Sequence, residues 1–264
     1  DVLRNNPYLF KIQPGQKIVE EAMAEKISDY YDCNLIFVHS DTAAWNENMS
    51  SDFKSNIYRK LRYKTSLNDV QFRQVFFESR SAYNDTINIL DHAMDKHKPN
   101  LVIVASDNKG VMEEVLITIH SLLKNYEIEV IGFPEIRWLP TLDPIYLFDL
   151  SVMVFTPGWL DYGQDDVKSF IKKYRAKFNM EPQITSYAWE SYDIAYYFMS
   201  GIAMHGDRFK YQPGQHRPDL LQSDYDFSRR GISGGFENNR LFLIQFTPDK
   251  KIIFPETEKS QLWE

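Results

Sequence analysis

Short hydroxyl, acidic, guanidinium and indole side chains gather at four places in the chain: Ser40-Asp41-Thr42 with Trp45, Ser79-Arg80-Ser81, Ser106-Asp107-Asn108, and Pro134-Glu135-Ile136-Arg137-Trp138. Each group stands directly before a helical pattern, where free backbone N–H groups converge in an α/β layout. Together they suit a small zwitterion or polyol. Asp107 or Glu135 could hold an ammonium group and Arg80 or Arg137 a carboxylate, while Trp45, Trp138 or Trp159 could stack on an apolar or sugar face. The same Ser, Asp and Asn residues are also the preferred helix caps, so each one taken alone has a structural role available to it.

Catalytic signals are weaker. Gly231-Ile-Ser-Gly-Gly235 matches the G-x-S-x-G pattern, with Ser233 as nominal nucleophile. That elbow needs a strand before and a helix after, whereas polar Ser228-Arg-Arg precedes it and a strand-like run follows, so a Gly-rich turn is expected and no catalytic residue is assigned. His92 and His97 stand five apart, off a common helical face, and Cys33 is the one cysteine, so neither a metal site nor an internal disulfide is expected. No cofactor motif is present. Asn48-Met-Ser and Asn84-Asp-Thr match a glycosylation sequon too short to carry weight.

The chain has 264 residues, 43% hydrophobic and 25% charged, enough for one large domain or two small ones with a real core. A net charge of −7 argues against a nucleic-acid partner. No run approaches the roughly 18 apolar residues of a membrane span. The opening Asp1 to Ile12 reads as mid-domain sequence rather than a targeting segment.

The candidate loops hang on a repeating pattern. A short strand near residues 8–12 is broken by Pro14-Gly15; then helices over 16–31, 46–61, 85–97 and 110–124 alternate with strands at 35–38, 75–77, 101–105 and 129–132. The strands are nearly continuous apolar runs, which predicts that all four pair parallel in one sheet covered on both faces. Another strand at 151–155 leads to a helix pair, 165–179 and 185–205, separated by Pro182. Beyond the polar stretch 207–228, Asn238-Asn239 predicts a hairpin within 236–246, and 247–254 a second turn and a last strand.

The helix pair carries a resemblance. F-I-K-K-Y-R-A-K-F-N-M-E-P followed by S-Y-A-W-E-S-Y-D-I-A-Y-Y-F-M-S-G-I is similar to the two-helix signature of type I periplasmic binding proteins, the leucine/isoleucine/valine-binding group of ABC-transporter substrate-binding proteins. Tyr8-Leu-Phe-Lys-Ile resembles that family's first crossing strand, and residues 35–45 resemble another segment, with Trp45 where Tyr is usual and Asn46 in place of Gly. Pro99 to Ser106, Val130 to Gly132 and the tail from Gly235 resemble further family segments in the same order.

The resemblance implies a doubly wound three-layer α/β fold of periplasmic-binding-protein-like type I, with one lobe complete and the other lacking its first β-α units. It implies a complete lobe over 1–150, the second crossing with the helix pair and the partial lobe over 151–240, and a return crossing with closing strands over 241–264. Hinge strands are then expected near 8–14, 151–158 and 241–247, and Trp45 and Glu135 become the foremost ligand residues. The implied function is non-catalytic capture of a small polar or amino-acid-like ligand in the cell envelope by lobe closure, with a membrane transporter or envelope protein as partner. A degenerate scaffolding module is the alternative, and a hydrolase using Ser233 the weakest one. On this view Tyr192, Tyr196, Tyr197 and Phe198 lose their usual packing partner, which the missing units or a second copy of the chain would cover.

Overall fold

The computed structural model describes residues 2–40, 47–67, 69–77, 89–183, 187–211 and 213–255, and of 47–49 only the backbone. The chain divides into two compact units, one of residues 16–155 with 243–264, the other of residues 1–15 with 156–242.

The larger unit is built on a seven-stranded sheet. Its strands are β2 (Asn34–His39), β3 (Gln71–Phe76), β4 (Asn100–Ala105), β5 (Ile128–Gly132), β6 (Met153–Thr156), β9 (Phe242–Phe246) and β10 (Ile252–Ile253). The spatial order is β10-β9-β6-β5-β4-β2-β3. β3, β2, β4, β5 and β6 pair parallel in turn, which is the arrangement the apolar runs predict; β9 and β10 form an antiparallel pair. β4 is buried along its whole length and β2 along all but its last residue, as the central strands of a sheet covered on both faces must be.

β3 differs from expectation. It starts at Gln71 rather than near Val75, and exposes Arg73 and Gln74. An edge strand needs no continuous apolar run, so a search for such runs sees only its last part.

Around this sheet stand α1 (Gln16–Ile27), α2 (Glu47–Leu61), α3 (Lys109–Leu122) and the short α4 (Ile145–Asp149). Met23 and Ile27 of α1, Phe53, Ile57 and Leu61 of α2, and Met112, Val115 and Ile119 of α3 recur at three- and four-residue steps and are fully buried. The helix expected over 85–97 is described only from 89 and ends at 93. There the Asn100 Oδ1 accepts from the Asp95 N–H at 2.7 Å and Asp95 Oδ1 from the His97 N–H at 2.8 Å, a side-chain turn that competes with further helix.

The smaller unit has a three-stranded sheet in the order β1-β8-β7, from β1 (Phe10–Lys11), β7 (Phe227–Arg229) and β8 (Phe236–Asn238). β1 runs parallel to β8, and β7 antiparallel to it. The hairpin expected at Asn238-Asn239 is absent: β8 and β9 belong to different sheets, and the antiparallel partner of β9 is β10. Asn238 has a different task, its Oδ1 accepting from the N–H groups of Asp226 (2.9 Å) and Arg240 (3.0 Å), so polar side chains in this stretch brace the loop beside β7 rather than form a tight turn.

Two helices complete this unit, α5 (Asp165–Phe178) and α6 (Ala188–His205). α5 stops at Asn179, which takes the left-handed conformation (φ 52°) and donates its N–H to the Arg175 carbonyl, three residues before Pro182 could act. α6 turns Trp189, Asp193, Tyr197 and Gly201 inward. Tyr197 is fully buried among Phe209, Tyr225, Phe227 and Phe236, with Phe198 packed against them, and its hydroxyl donates to the Pro213 carbonyl at 2.6 Å. Tyr197 and Phe198 therefore have partners, contrary to the expectation of a stripped aromatic face, whereas Tyr192 and Tyr196 are exposed.

Candidate functional site

At the carboxyl end of the larger sheet, β2 and β4 lie in register, His39 opposite Ala105, so the residues that follow them meet. Ser40 and Ser106 are both buried, and their hydroxyls share a hydrogen bond of 2.6 Å. The Asn108 N–H donates to Ser106 Oγ at 3.1 Å, and Asn108 Oδ1 accepts from the Gly110 and Val111 N–H groups at 3.0 and 3.3 Å, capping α3. Asp107 stands half-buried between the two. The loop thus combines both roles weighed for it: Asn108 is the cap, and Ser106 links that cap to β2.

β5 neighbours β4, with Val104 opposite Gly132, and delivers the next loop to the same end of the sheet. There Pro134–Trp138 winds into a short 3-10 turn carrying Glu135, exposed, in its first turn. A side chain at Gly132 would place its Cβ 2.7 Å from Ile136 Cδ1, so the turn folds back closely onto the end of the strand. Arg137 is half-buried, its guanidinium 5.1 Å from the Trp138 ring, and burial pulls its pKa below the usual arginine range. Trp138 is about half exposed at 48%.

Of the ten residues named from the sequence, Ser40, Ser106, Asp107, Glu135, Arg137 and Trp138 therefore follow three adjacent strands, β2, β4 and β5, at one end of the sheet. Asp41, Trp45 and Arg80 lie outside the described residues. Trp159 belongs to the smaller unit, half-buried, and its N–H donates to the Gln222 carbonyl at 2.8 Å. A buried hydroxyl pair, an exposed carboxylate, a partly desolvated guanidinium and an indole face can orient a small polar molecule.

Ser233 sits in the β7–β8 hairpin, strand on either side, and its hydroxyl donates to Asn5 Oδ1 at 3.3 Å. The glycines around it answer to backbone crowding. Gly231 has φ 75°, and a Cβ on Gly234 or Gly235 would lie 1.9 Å from the Arg230 carbonyl oxygen or 2.4 Å from that of Leu9. A strained strand-to-helix elbow is not formed.

One pair escaped the sequence reading. Ser200 Oγ on α6 lies 2.8 Å from His216 Nε2, sixteen residues away in sequence, with the His205 ring 5.3 Å from that of His216. Ser200 Oγ also donates to the Tyr196 carbonyl at 2.5 Å, one helical turn back, which commits its proton to the helix. Burial, with His205 second, lowers the His216 pKa, and with the Ser200 proton given to the helix the His216 Nε2–H donates to Ser200 Oγ. Ser and His at this separation carry no pattern that periodicity could flag. Among the described residues no group of three or more His, Cys, Asp or Glu is placed to hold a metal ion.

No protein-family model and no curated protein matches the sequence. Solved structures do match the fold. A Desulfitobacterium hafniense ABC-transporter substrate-binding protein in complex with Leu aligns over 90% of this chain and 64% of its own, with TM-score 0.56 and 14% identity. A putative branched-chain amino acid ABC transporter protein from Rhodospirillum rubrum aligns over 94% and 68%, with TM-score 0.59 and 11% identity. A solute-binding protein of R. palustris in complex with benzoate aligns over 94% and 64%, with TM-score 0.51 and 12% identity. The chain has the α/β fold of type I periplasmic binding proteins and spans about two thirds of the length of these examples.

Proposed function

We propose that the chain reversibly binds a small polar or amino-acid-like molecule in the cell envelope, as the substrate-binding component of an ABC transporter, without catalysing a reaction on it. The observation that supports this reading best is the buried Ser40–Ser106 hydroxyl pair with Asp107, Glu135, Arg137 and Trp138 at the end of three adjacent parallel strands. In a sheet of this kind that end is where small ligands are held. The fold agrees, since the solved proteins that share it include one carrying Leu and one carrying benzoate. Asp41, Trp45, Arg80 and Trp159 are proposed contacts of the same ligand, lobe closure the response to it, and a membrane transporter or another envelope protein the partner.

Calorimetric titration with leucine, isoleucine, valine and benzoate, backed by thermal shift over a wider amino-acid and sugar panel, tests this. Saturable binding that weakens about tenfold or more in Arg137→Ala is the expected result, because a charged hydrogen bond contributes about 1.5–3 kcal/mol. Silence across the panel from folded protein favours an envelope scaffolding module that kept the fold and lost its ligand.

A further inference from the structure

Trp159 lies just past the end of β6, outside any helix or strand, and one short stretch of backbone, residues 221–223, holds it there. Gly158 forms an antiparallel bridge with Ser223, and the Trp159 N–H donates to the Gln222 carbonyl at 2.8 Å. A Cβ on Gly158 would stand 3.1 Å from that same carbonyl oxygen, so the two backbones run about as close as a glycine allows. Thr156 tightens the turn by donating its hydroxyl to the Gly158 carbonyl at 2.9 Å, and Leu160 packs into the cluster of Leu221, Trp189 and Val167.

Residues 221–223 are held in turn by one side chain. Asp193 of α6, fully buried, accepts the N–H groups of Leu221, Gln222 and Ser223 at 2.8, 3.0 and 3.0 Å. Buried backbone donors and acceptors must all be paired; here the N–H groups go to the carboxylate and the Gln222 carbonyl goes to Trp159. Asp193 thus stands where a neighbouring strand would. Three consecutive N–H groups meet one carboxylate only if the segment keeps a single conformation, and that conformation sets where the Gln222 carbonyl points.

We propose that Asp193 is a positioning residue for ligand binding: it fixes residues 221–223, and they fix Trp159, one of the ligand contacts proposed above. The inference rests on that reading. A ligand contact is effective only when the backbone beneath it is held in place. Both Asp193 oxygens are engaged by backbone donors and the residue is fully buried, so it acts on a ligand through Trp159 and not by touching it.

Fluorine NMR of the 264-residue chain labelled with fluorotryptophan reads the first link, its resonances assigned by Trp159→Phe and Trp138→Phe. Asp193→Asn keeps the side-chain volume but turns an amide donor toward backbone donors. Gly158→Ala leaves Asp193 intact and pushes the Trp159 backbone away from Gln222. Each should shift or broaden the Trp159 resonance and leave that of Trp138, in the larger unit, unchanged. Calorimetric titration with leucine, isoleucine, valine and benzoate reads the second link. Whichever compound binds should bind about fivefold or more weakly to Asp193→Asn, and in a Trp159→Ala background the same substitution should cost almost nothing further. An unmoved Trp159 resonance in folded Asp193→Asn overturns the proposal; if that variant does not fold, an unmoved resonance in Gly158→Ala overturns it. Equal losses of affinity in both backgrounds overturn it too, since the carboxylate would then act by a route other than Trp159. Wild-type protein that binds none of the four compounds strikes the ligand reading instead, and the Trp159 resonance still reports whether Asp193 places the indole, so the two failures are told apart.

Discussion

The two units solve the same problem by different means. The larger is organised by long apolar strands: Leu35, Ile36, Phe37 and Val38 of β2 and Val102, Ile103 and Val104 of β4 are fully buried, and hydrophobic burial fixes their order. The smaller has strands of only two and three residues, too short to define a sheet by burial alone. Two buried carboxylates do that work. Asp193 on α6 accepts the N–H groups of Leu221, Gln222 and Ser223 at 2.8, 3.0 and 3.0 Å, pinning the loop that leads into β7. Glu237 on β8 takes Lys11 of β1 at 2.9 Å, the Gly15 N–H at 3.1 Å, and Arg230 beyond β7. Short strands bound by polar side chains make a unit whose stability sits in a few replaceable groups, whereas the larger unit spreads it over many.

The largest effect should come from Asp193→Ala. It strands three backbone donors, one of them on buried Leu221, at about 1–3 kcal/mol each. We expect a loss of about 3–6 kcal/mol in urea unfolding, and in hydrogen exchange a loss of protection at residues 221–223 and β7 while β2 and β4 keep theirs. Equal loss in both sheets, or a cost under about 1 kcal/mol, would remove the contrast between the units.

The same contrast explains what could be read in advance. Continuous apolar runs announce β2, β4 and β5, and three- and four-residue periods announce α1, α2, α3, α5 and α6, because burial acts on residues close in sequence. The hydroxyl and charged residues after those strands were legible for the same reason: a strand that ends predicts where its loop emerges. The smaller unit resists such reading. β7 and β8 are defined by contacts between Asp193 and Leu221, 28 residues apart, and between Lys11 and Glu237, 226 apart, and no local pattern encodes those pairings. Asn238-Asn239 carries turn chemistry, but its amides serve the β7 side of the unit, so turn residues alone misassigned β9 as the partner of β8.

A middle-sized effect should appear in acid. Burial by itself would raise the Glu237 carboxyl, but the hydrogen bonds and charges of Lys11 and Arg230 hold it below its usual range. A depressed folded pKa contributes stability above the unfolded value and loses it as pH falls through the folded one. The Glu237 contribution to the smaller unit should therefore be lost through the acid range, while Asp193, whose pKa burial raises, works in the opposite sense. Lys11 and Arg230 are each nearly half exposed, so solvent screens part of the attraction, and Glu237→Gln should cost only about 1–2 kcal/mol at neutral pH. The same variant should flatten the acid slope. An unchanged slope would show that another carboxylate governs it.

The smallest effect tests the larger unit at its own polar point. Asn108 caps α3 by accepting from the Gly110 and Val111 N–H groups, and its N–H is held by Ser106. Asn108→Ala removes the cap but leaves Ser106 bonded to Ser40 and leaves Val111, Met112 and Val115 buried, so the helix keeps its packing. The expected cost is about 1 kcal/mol. It should appear as faster exchange at the Gly110 and Val111 amides, with β4 unchanged. Because Asn108 points into its own helix, ligand affinity at Ser106, Glu135 and Arg137 should stay within about twofold, a change of under 0.5 kcal/mol. A cost above about 3 kcal/mol would mean that the end of this sheet depends on single polar groups as the smaller unit does, and the contrast between the two units would then be one of strand length alone.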